Sequence, residues 1–332
     1  MSAPKADTVP WATAGPVPVL MYHSIGTRAT AQFRRFTMDP AEFAAQMGYL
    51  DAEGYSPVTA AELAAHRLTG HLLPKRPVVL TFDDGYSDFV SAALPVLHAR
   101  GFSSTLYVPT GYIGSTAGFL RNCGEENRRL LSWRELRDLA AGGVEVGSHS
   151  HTHPQLDRVP PAVVRDEIHR SKCLLEDKLG QEVAGFCYPF GYWNRAVRSA
   201  VAAAGFRYGC EVGELVTVPG DDILTLPRMS VNAGIGVDGL ARLLQSGRGA
   251  RRTAAAKRIV WRVLRRGVRR IGGDPRSGWQ SSHFGPSAGE PVIAELDRIA
   301  PGEEGPDSAR ARYRGRGIHR LTPHGRVPGP RR

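Results

Sequence analysis

Residues 77–86, Pro77-Val78-Val79-Leu80-Thr81-Phe82-Asp83-Asp84-Gly85-Tyr86, join a short apolar run to two adjacent carboxylates. The apolar, β-branched run predicts a buried strand, and Asp-Asp-Gly marks its end. Two neighbouring carboxylates repel each other, so keeping both ionised requires a cation or hydrogen-bond donors nearby. One solution is that one aspartate binds a metal ion while the other does proton chemistry. The alternative is an ordinary polar turn, because Asp-Gly is common in turns.

Strands and helices alternate on both sides of this stretch. Short apolar runs predict strands at 17–23, 77–82, 103–109, 144–149, 183–189, 206–212 and 224–231. Apolar residues at helical spacing predict helices at 39–53, 91–100, 132–143, 160–179, 194–204 and 237–246. This alternation predicts parallel strands with crossover helices, either as a barrel or as an open doubly wound sheet. Both folds collect functional residues at the carboxyl ends of their strands.

Three histidines lie within five residues after the fourth predicted strand: His149, His151 and His153. Imidazole is the commonest metal-binding side chain. Two histidines with one carboxylate form a recurrent metal site that leaves coordination positions open. Together with the aspartate pair, the cluster predicts a metal site. We expect His151 to point away if its two neighbours are ligands.

The positive charge is concentrated near the end of the chain. The formal net charge of the 332 residues is +11, but residues 247–332 hold 20 basic and 7 acidic residues, whereas residues 1–246 hold 23 and 25. The basic character therefore says little about a substrate of the main domain. The four cysteines contain no Cys-x-x-Cys pair and predict neither a disulfide framework nor a zinc knuckle.

The chain is expected to have three parts: an N-terminal extension (1–16), one catalytic domain (17–246) and a basic tail (247–332). Residues 258–271 predict a basic amphipathic helix, suited to an anionic membrane surface or to docking on the main domain with a solvated arginine face. Beyond residue 272 the composition predicts disorder. Arginine clusters can bind nucleic acid nonspecifically, but no recognition motif supports a specific nucleic-acid partner.

Residues 1–16 contain no apolar run long enough for a secretory signal. No stretch of about 18 apolar residues predicts a membrane span. As written, the chain is expected in the cytoplasm. An extracellular or cell-surface location is expected if the true start lies upstream.

The two polar motifs resemble the first two motifs of the NodB-type polysaccharide deacetylases. Thr-Phe-Asp-Asp-Gly at 81–85 is followed by Gly-Ser-His-Ser-His-Thr-His-Pro at 147–154, with the order, spacing and strand-end context of that family. The resemblance covers residues 17–231. The stretches at 19–25 (VLMYHSI) and 186–191 (FCYPFG) are similar to the branch that includes the bacterial poly-N-acetylglucosamine deacetylases. This resemblance implies a distorted (β/α)7 barrel in a single catalytic domain.

The resemblance also implies roles for individual residues. Asp83 would be the general base, and Asp84, His149 and His153 would hold a divalent metal ion. Zinc is the first expectation for that ion, with cobalt, nickel or manganese as alternatives. The backbone N–H of Phe190 would stabilise the oxyanion of the reaction.

Two departures from the family pattern concern charge and proton supply. Many members carry an arginine in the third motif that pairs with the catalytic aspartate; here Cys187 lies near that place. Arg228 is expected to supply the charge instead, although it could be a surface arginine beyond a strand. The late Leu-x-His motif is absent, and no histidine occurs between His169 and His283. In the rearranged branch the general acid is the first-strand histidine, here His23, which could otherwise be a core histidine.

The predicted function is a metal-dependent hydrolase that removes N-acetyl groups from N-acetylated amino sugars in a glycan. An O-deacetylase, or an amidase acting on a small sugar conjugate, would need the same machinery. A non-catalytic glycan-binding module on the same barrel is the third alternative, disfavoured because the ligands and the base are all present. Four aromatic residues could stack on sugar rings or simply pack: Tyr86, Trp133, Tyr188 and Trp193.

Overall fold

Seven parallel strands close into a barrel in this computed structural model, which describes residues 8–9 and 15–249. The strands are β1 (Val19–Tyr22), β2 (Pro77–Phe82), β3 (Thr105–Val108), β4 (Glu145–Ser148), β5 (Gly185–Cys187), β6 (Tyr208–Val212) and β7 (Leu226–Ser230). Each pairs with the next in sequence, and β1 also pairs with β7, which closes the ring. The predicted seven-stranded barrel is therefore confirmed, and the open sheet is excluded.

Helices on the outside of the barrel follow the strands. They are α1 (Pro40–Ala52), α2 (Ala60–Thr69), α3 (Leu94–His98), α4 (Trp133–Ala141), α5 (Pro161–Leu179), α6 (Arg195–Ala203) and α7 (Gly236–Gly249). Short 3-10 turns lie at Arg34–Phe36, Thr110–Tyr112, Gly118–Cys123, Pro189–Gly191 and Ile223–Thr225. The helix predicted at 91–100 is shorter than expected, because a π-helical turn (Phe89–Ala93) precedes α3. Pro95 in its first turn cannot donate a backbone hydrogen bond to the preceding turn.

Four strands and helix α2 between β1 and β2 were not predicted; the strands are Ser24–Ile25, Thr37–Met38, Ser56–Val58 and Leu73–Pro74. The strand Ser56–Val58 pairs with the first half of β2, whereas β3 pairs with its second half. Helix α2 then begins with a capping box between Thr59 and Glu62, a sequence signal that marks a helix start. The backbone N–H of Ala61 donates to the partly buried carboxylate of Glu145 at 3.0 Å, which connects α2 to the barrel.

Alternate residues along each strand divide the core into two regions, as the pleat requires. Leu80 and Phe82 of β2 belong to the large cluster that includes helix residues such as Phe43 and Leu175. Val79 of the same strand belongs to a second cluster, which includes residues of β3, β5, β6 and α2. The barrel is therefore packed both inside and out.

A cap covers part of the carboxyl end of the barrel and consists of residues 24–38 and 110–131. It has its own apolar cluster, formed by Phe33, Tyr86, Ala117, Leu120, Cys123 and Leu130. The cap segments connect β1 to α1 and β3 to α4. They therefore lie at the edge where the polar motifs were expected.

Several expectations fall outside the described residues. These are the amphipathic helix at 258–271, the disordered tail and most of the extension at 1–16. The boundaries of the three parts stay predictions. Within residues 8–9 and 15–249, no helix is long and apolar enough to cross a bilayer.

Candidate active site

The predicted site residues come together at the carboxyl end of the barrel. Asp83 and Asp84 directly follow β2, His149 directly follows β4, and His23 directly follows β1. Arg228 lies within β7. The remaining two are His153, on the loop after β4, and Phe190, in the turn after β5.

Asp83 forms a buried ion pair with Arg228. The Nη1 and Nη2 atoms of Arg228 donate to Oδ1 and Oδ2 of Asp83, each at 2.7 Å. Nη1 of Arg228 also donates to Thr81 Oγ1 at 3.0 Å, and Nη2 lies 3.0 Å from Cys187 Sγ. The alternative prediction, that Arg228 is a surface residue, is therefore wrong, because its exposure is 0%.

The pair fixes the ionisation of Asp83. Burial raises the pKa of this carboxyl, but the charge and hydrogen bonds of Arg228, with contributions from His149 and His23, outweigh it. The pKa of Asp83 is thus held well below its usual range. Asp83 is ionised at neutral pH and can accept a proton.

Asp84, His149 and His153 converge on one point. Oδ1 of Asp84 lies 3.5 Å from His149 Nε2 and 3.4 Å from His153 Nε2. The two imidazole Nε2 atoms are 3.2 Å apart. Oδ1 of Asp84 is buried and has no hydrogen-bond partner among the described residues. Two imidazoles and one carboxylate in this arrangement fit a divalent cation, which would satisfy that oxygen.

The hydrogen bond of His149 prepares it as a ligand. Its Nδ1 lies 2.8 Å from the carbonyl oxygen of Cys187. Because a carbonyl only accepts, Nδ1 carries the proton and Nε2 presents its lone pair to the site. Burial lowers the pKa of His149 and, aided by the charge of His149, lowers that of His153 well below its usual value. Both are therefore neutral at pH 7, as metal-ligating imidazoles must be.

The pKa of Asp84 is raised to about 7 by burial and by the charge of Asp83. A hydrogen bond from Tyr86 and the charge of Arg228 lower it only partly. Without a cation, Asp84 is therefore only about half ionised near neutral pH. The two neighbouring aspartates differ because only Asp83 has a cationic partner among the described side chains.

The site loops hold unusual backbone conformations. Positive φ angles occur at Asp84 (72°), Ser150 (65°), His153 (61°) and Phe190 (60°). Such angles are uncommon outside glycine and are concentrated at functional sites. Gly191 also has a positive φ, 69°, and a Cβ there would lie 2.6 Å from the backbone nitrogen of Val212.

Aromatic rings surround His153. The rings of Phe119 and Phe190 lie 4.8 Å and 4.7 Å from its own. Phe119 belongs to the cap, whereas Phe190 belongs to the turn after β5. The structure thus places the side chain of Phe190 at the site, and the role of its backbone N–H stays a prediction.

His23 is partly buried, with its ring 4.9 Å from that of Phe36. Burial lowers its pKa to about 4; Asp83 raises the pKa, and Arg228, His149 and Arg35 lower it further. The role of His23 as general acid stays a prediction. His23 is neutral at pH 7.

Two side chains missed by the sequence analysis order the histidine loop. Glu167 of α5 accepts hydrogen bonds from the backbone of His151 and Thr152 at 2.8 Å and 2.7 Å. Nδ1 of His151 lies 2.8 Å from Thr110 Oγ1, so this histidine is engaged away from the metal cluster. Glu167 follows the motif by more than ten residues and carries no local sequence signal.

Of the two alternatives for the four aromatic residues, sugar stacking or simple packing, packing holds for two of them. Tyr86 and Tyr188 are buried, with exposures of 2% and 0%. Their hydroxyls donate to Asp84 Oδ2 at 2.7 Å and to the Leu224 carbonyl at 2.8 Å. Trp133 and Trp193 are partly buried. Neither tyrosine ring is available to a ligand.

Comparison with known proteins matches residues 72–209 to the family described as polysaccharide deacetylase. YxkH of Bacillus subtilis (strain 168), named as a polysaccharide deacetylase, is 28% identical over 231 residues, covering 69% of this chain and 76% of that protein. A poly-beta-1,6-N-acetyl-D-glucosamine N-deacetylase of Staphylococcus aureus (strain MSSA476) is 21% identical over 213 residues, covering 61% of this chain and 71% of that protein.

Two solved structures share the fold. The deacetylase PplD of Streptococcus pyogenes, in complex with acetate, superposes with a TM-score of 0.60 and 24% identity, over 69% of this chain and 97% of that one. IcaB from Ammonifex degensii superposes with a TM-score of 0.58 and 23% identity, over 70% and 98%. Residues 72–209 thus match the polysaccharide deacetylase family, and the two motifs lie at the end of a seven-stranded barrel.

Proposed function

We propose that this protein is a metal-dependent N-deacetylase that hydrolyses the acetamide of N-acetylated amino sugars in a glycan. The observation that carries the proposal is the ionised Asp83–Arg228 pair directly beside the convergent set of Asp84, His149 and His153. The site thus combines a base with a cation site, and hydrolysis of an unactivated amide uses both.

The cation site is proposed to hold one divalent ion. Such an ion supplies Lewis-acid chemistry, because it polarises the acetyl carbonyl and lowers the pKa of water. The nitrogen and oxygen ligands suit zinc, and they also accept cobalt, nickel or manganese. The raised pKa of Asp84 supports the proposal, since a cation would hold this buried carboxylate ionised.

Asp83 is proposed to take the proton from the attacking water. Each of its oxygens accepts one bond from Arg228, so the carboxylate is fixed in position while further lone pairs stay available. Its depressed pKa makes it a weak base, and a weak base serves only a strongly acidified water. Base and cation are therefore proposed to depend on each other.

The leaving nitrogen must also gain a proton, because an amine does not depart as an anion near neutral pH. We retain His23 as the proposed donor. In the free protein it is neutral, so it would take up a proton from solvent during the reaction, when negative charge on the reacting oxygen raises the pKa of a nearby imidazole, and then pass that proton to the leaving nitrogen. The other candidate carrier is Asp83, after it has accepted the proton of water.

The choice of an N-acetylated glycan rests on the relatives. The Staphylococcus aureus relative is named as acting on poly-beta-1,6-N-acetyl-D-glucosamine. An O-deacetylase or a small-conjugate amidase would use the same side chains. A glycan-binding module would need no buried base, so the Asp83–Arg228 pair disfavours it.

Acetate release from N-acetylglucosamine oligomers by the zinc-loaded protein tests the proposal. We expect steady release by the wild type and its loss in Asp83→Asn, with folding of the variant checked by circular dichroism. No release from these oligomers by a zinc-loaded, folded protein would contradict N-deacetylation of this substrate class. Release from O-acetylated sugars alone would favour the O-deacetylase.

Peripheral membrane contact through residues 258–271 also stays a proposal, because this segment lies outside the described residues. The location of the protein in the cell remains a prediction as well.

A further inference from the structure

Tyr86 contacts the proposed metal ligand Asp84 at a different carboxylate oxygen from the one that lies near the histidines. Its hydroxyl donates to Oδ2 of Asp84 at 2.7 Å. The other oxygen, Oδ1, is the one that lies 3.5 Å from His149 Nε2 and 3.4 Å from His153 Nε2. A hydrogen bond to one oxygen restricts rotation of the carboxylate and so the direction of its second oxygen. Tyr86 is therefore placed to influence how Oδ1 of Asp84 faces the cation site.

The ring of Tyr86 is itself fixed by the cap. It is buried at 2% exposure and packs edge-to-face on Phe33, with centroids 5.8 Å apart. Tyr86 also forms an antiparallel bridge with Leu130, and the N–H of Leu131 donates to the Gly85 carbonyl at 2.9 Å. Both halves of the cap thus contact the tyrosine.

Arg128 joins these segments. Its guanidinium lies 4.8 Å from the centre of the Phe33 ring and 5.8 Å from that of Tyr86. Nη1 of Arg128 donates to Ser24 Oγ at 2.8 Å and lies 3.8 Å from Asp88 Oδ2.

Arg128 makes further contacts within the cap. Its Nε donates to Glu125 Oε2 at 2.7 Å, and Nη2 donates to Thr37 Oγ1 at 3.2 Å. Its side chain is only 14% exposed. One side chain therefore holds together both cap segments and the loop after β2.

We propose that Tyr86 is a positioning residue of the metal centre and that Arg128 acts through it, so that the cap sets the orientation of Asp84. The inference rests on the proposed cation site. It assigns Tyr86 and Arg128 a task in metal binding that packing alone would not require. Hydrogen-bond partners of metal ligands orient them, and their loss typically weakens metal binding about 10- to 100-fold.

The test is the zinc affinity of the metal-stripped full chain, measured by competition with a chromophoric chelator. We expect Tyr86→Phe, which removes only the hydroxyl, to bind zinc about 10- to 100-fold more weakly than the wild type. The absorption spectrum of the cobalt-substituted protein should change as well, because it reports ligand geometry. The matched control is Tyr22→Phe, which removes a buried hydroxyl that donates to Gln46 at 3.0 Å, and it should bind zinc like the wild type.

Arg128→Met, which keeps an apolar stem, provides the second variant. We expect it to weaken zinc binding in the wild-type background and to add little in the Tyr86→Phe background, since residues that act through one contact are not additive. If Tyr86→Phe does not fold, Arg128→Met alone carries the test.

The outcomes distinguish this inference from the proposed function. Wild-type zinc affinity with an unchanged cobalt spectrum in folded Tyr86→Phe would overturn the positioning role and leave the proposed function intact. Equal weakening in Tyr22→Phe would also overturn it, because the effect would then be general destabilisation. A wild type that binds no zinc would remove the proposed metal site itself, and this inference with it.

Discussion

Arg228 of β7 donates to both carboxylate oxygens of Asp83, at 2.7 Å each, at the carboxyl end of the barrel. Neither side chain is more than 4% exposed, so solvent does little to screen the pair. The positive charge comes from β7, and Cys187 Sγ lies 3.0 Å from the guanidinium. The proposed base Asp83 is therefore held in position by a residue that lies 145 positions later in the sequence.

Arg228→Met should leave the Asp83 charge buried without its partner. Breaking a buried ion pair in this way costs roughly 3–5 kcal/mol in the free energy of unfolding. Urea unfolding at pH 7 measures this cost. The double variant Asp83→Asn/Arg228→Met should recover part of it, because no unpaired charge remains.

The matched control for Arg228→Met is Arg198→Met. Arg198 makes a comparable two-bond contact with Asp222, at 2.5 Å and 2.8 Å, but about a third of each side chain is exposed. Loss of this exposed contact should lower the free energy of unfolding by only about 0–1 kcal/mol. Equal costs at the two sites would show that burial of the Asp83 pair contributes nothing.

Asp84→Asn should stabilise the metal-free protein increasingly as the pH rises. The pKa of Asp84 is raised to about 7 in the folded chain, against about 3.9 in an unfolded one, so the folded state binds the extra proton between these values. The free energy of unfolding of the wild type should therefore fall as the pH rises from about 4 to 7. The asparagine variant does not ionise at this position, so it should not show this loss. Unfolding in urea with a chelator, at pH 5 and pH 8, should show a larger advantage of Asp84→Asn at pH 8.

The histidines of the site titrate in the same window but are present in both proteins compared, so their contribution largely cancels in that difference. An advantage that does not change between pH 5 and pH 8 would mean that Asp84 titrates normally. The advantage should vanish for the zinc-loaded wild type, because the ion stabilises the ionised carboxylate.

His23→Ala should keep metal and fold but lose turnover on an N-acetyl substrate by about 10² or more, the usual scale for a general acid. An aryl acetate has a leaving group that needs no proton, so hydrolysis of this ester should suffer much less. His169→Ala, on the exposed face of α5, is the control and should change neither rate. Equal losses on both substrates, or no loss on either, would exclude His23 as the acid and favour Asp83 as the proton carrier.

The tail is predicted to serve location rather than chemistry, because residues 247–332 hold 20 basic and 7 acidic residues. A chain that ends at Gly249, the last residue of α7, should keep its activity on a soluble oligomer. The full chain should bind anionic vesicles at low salt and be released at high salt, whereas the shorter chain should not bind. A folded but inactive short chain would place part of the site in the tail, and a full chain that ignores the vesicles would exclude membrane contact.

Much of the barrel and the metal cluster could be predicted because their signals are local. Apolar runs identify the strands, and Asp83, Asp84 and the histidines sit in short motifs at strand ends. Arg228 could be named only as a candidate, since its partner lies 145 positions away and its burial depends on closure of the barrel. Helix α2 was missed although its capping box is visible in the sequence.

The pKa shifts and the contacts of the cap could not be predicted from the sequence, because they depend on segments that lie far apart in the chain. The lowered pKa of His23 arises from burial and from charges on β7 and after β4, which the sequence does not place around it. The contact of Arg128 with Ser24 joins segments 104 positions apart. Stacking and packing stayed open for Tyr86, because its burial is created by Phe33 and Leu130 of the cap, which lie far from it in the sequence.

The most direct test of the proposal that this protein is a metal-dependent deacetylase is a zinc titration of the metal-stripped protein. At each step, the rate of acetate release from N-acetylglucosamine oligomers is compared with the amount of zinc bound per chain. We predict that the rate rises in proportion to bound zinc and saturates at one ion per chain. The His149→Ala and Asp84→Ala variants should neither bind zinc tightly nor release acetate at the wild-type rate. A metal-stripped protein that releases acetate at the full rate, or folded variants that bind zinc like the wild type, would contradict the assignment of the site to Asp84, His149 and His153.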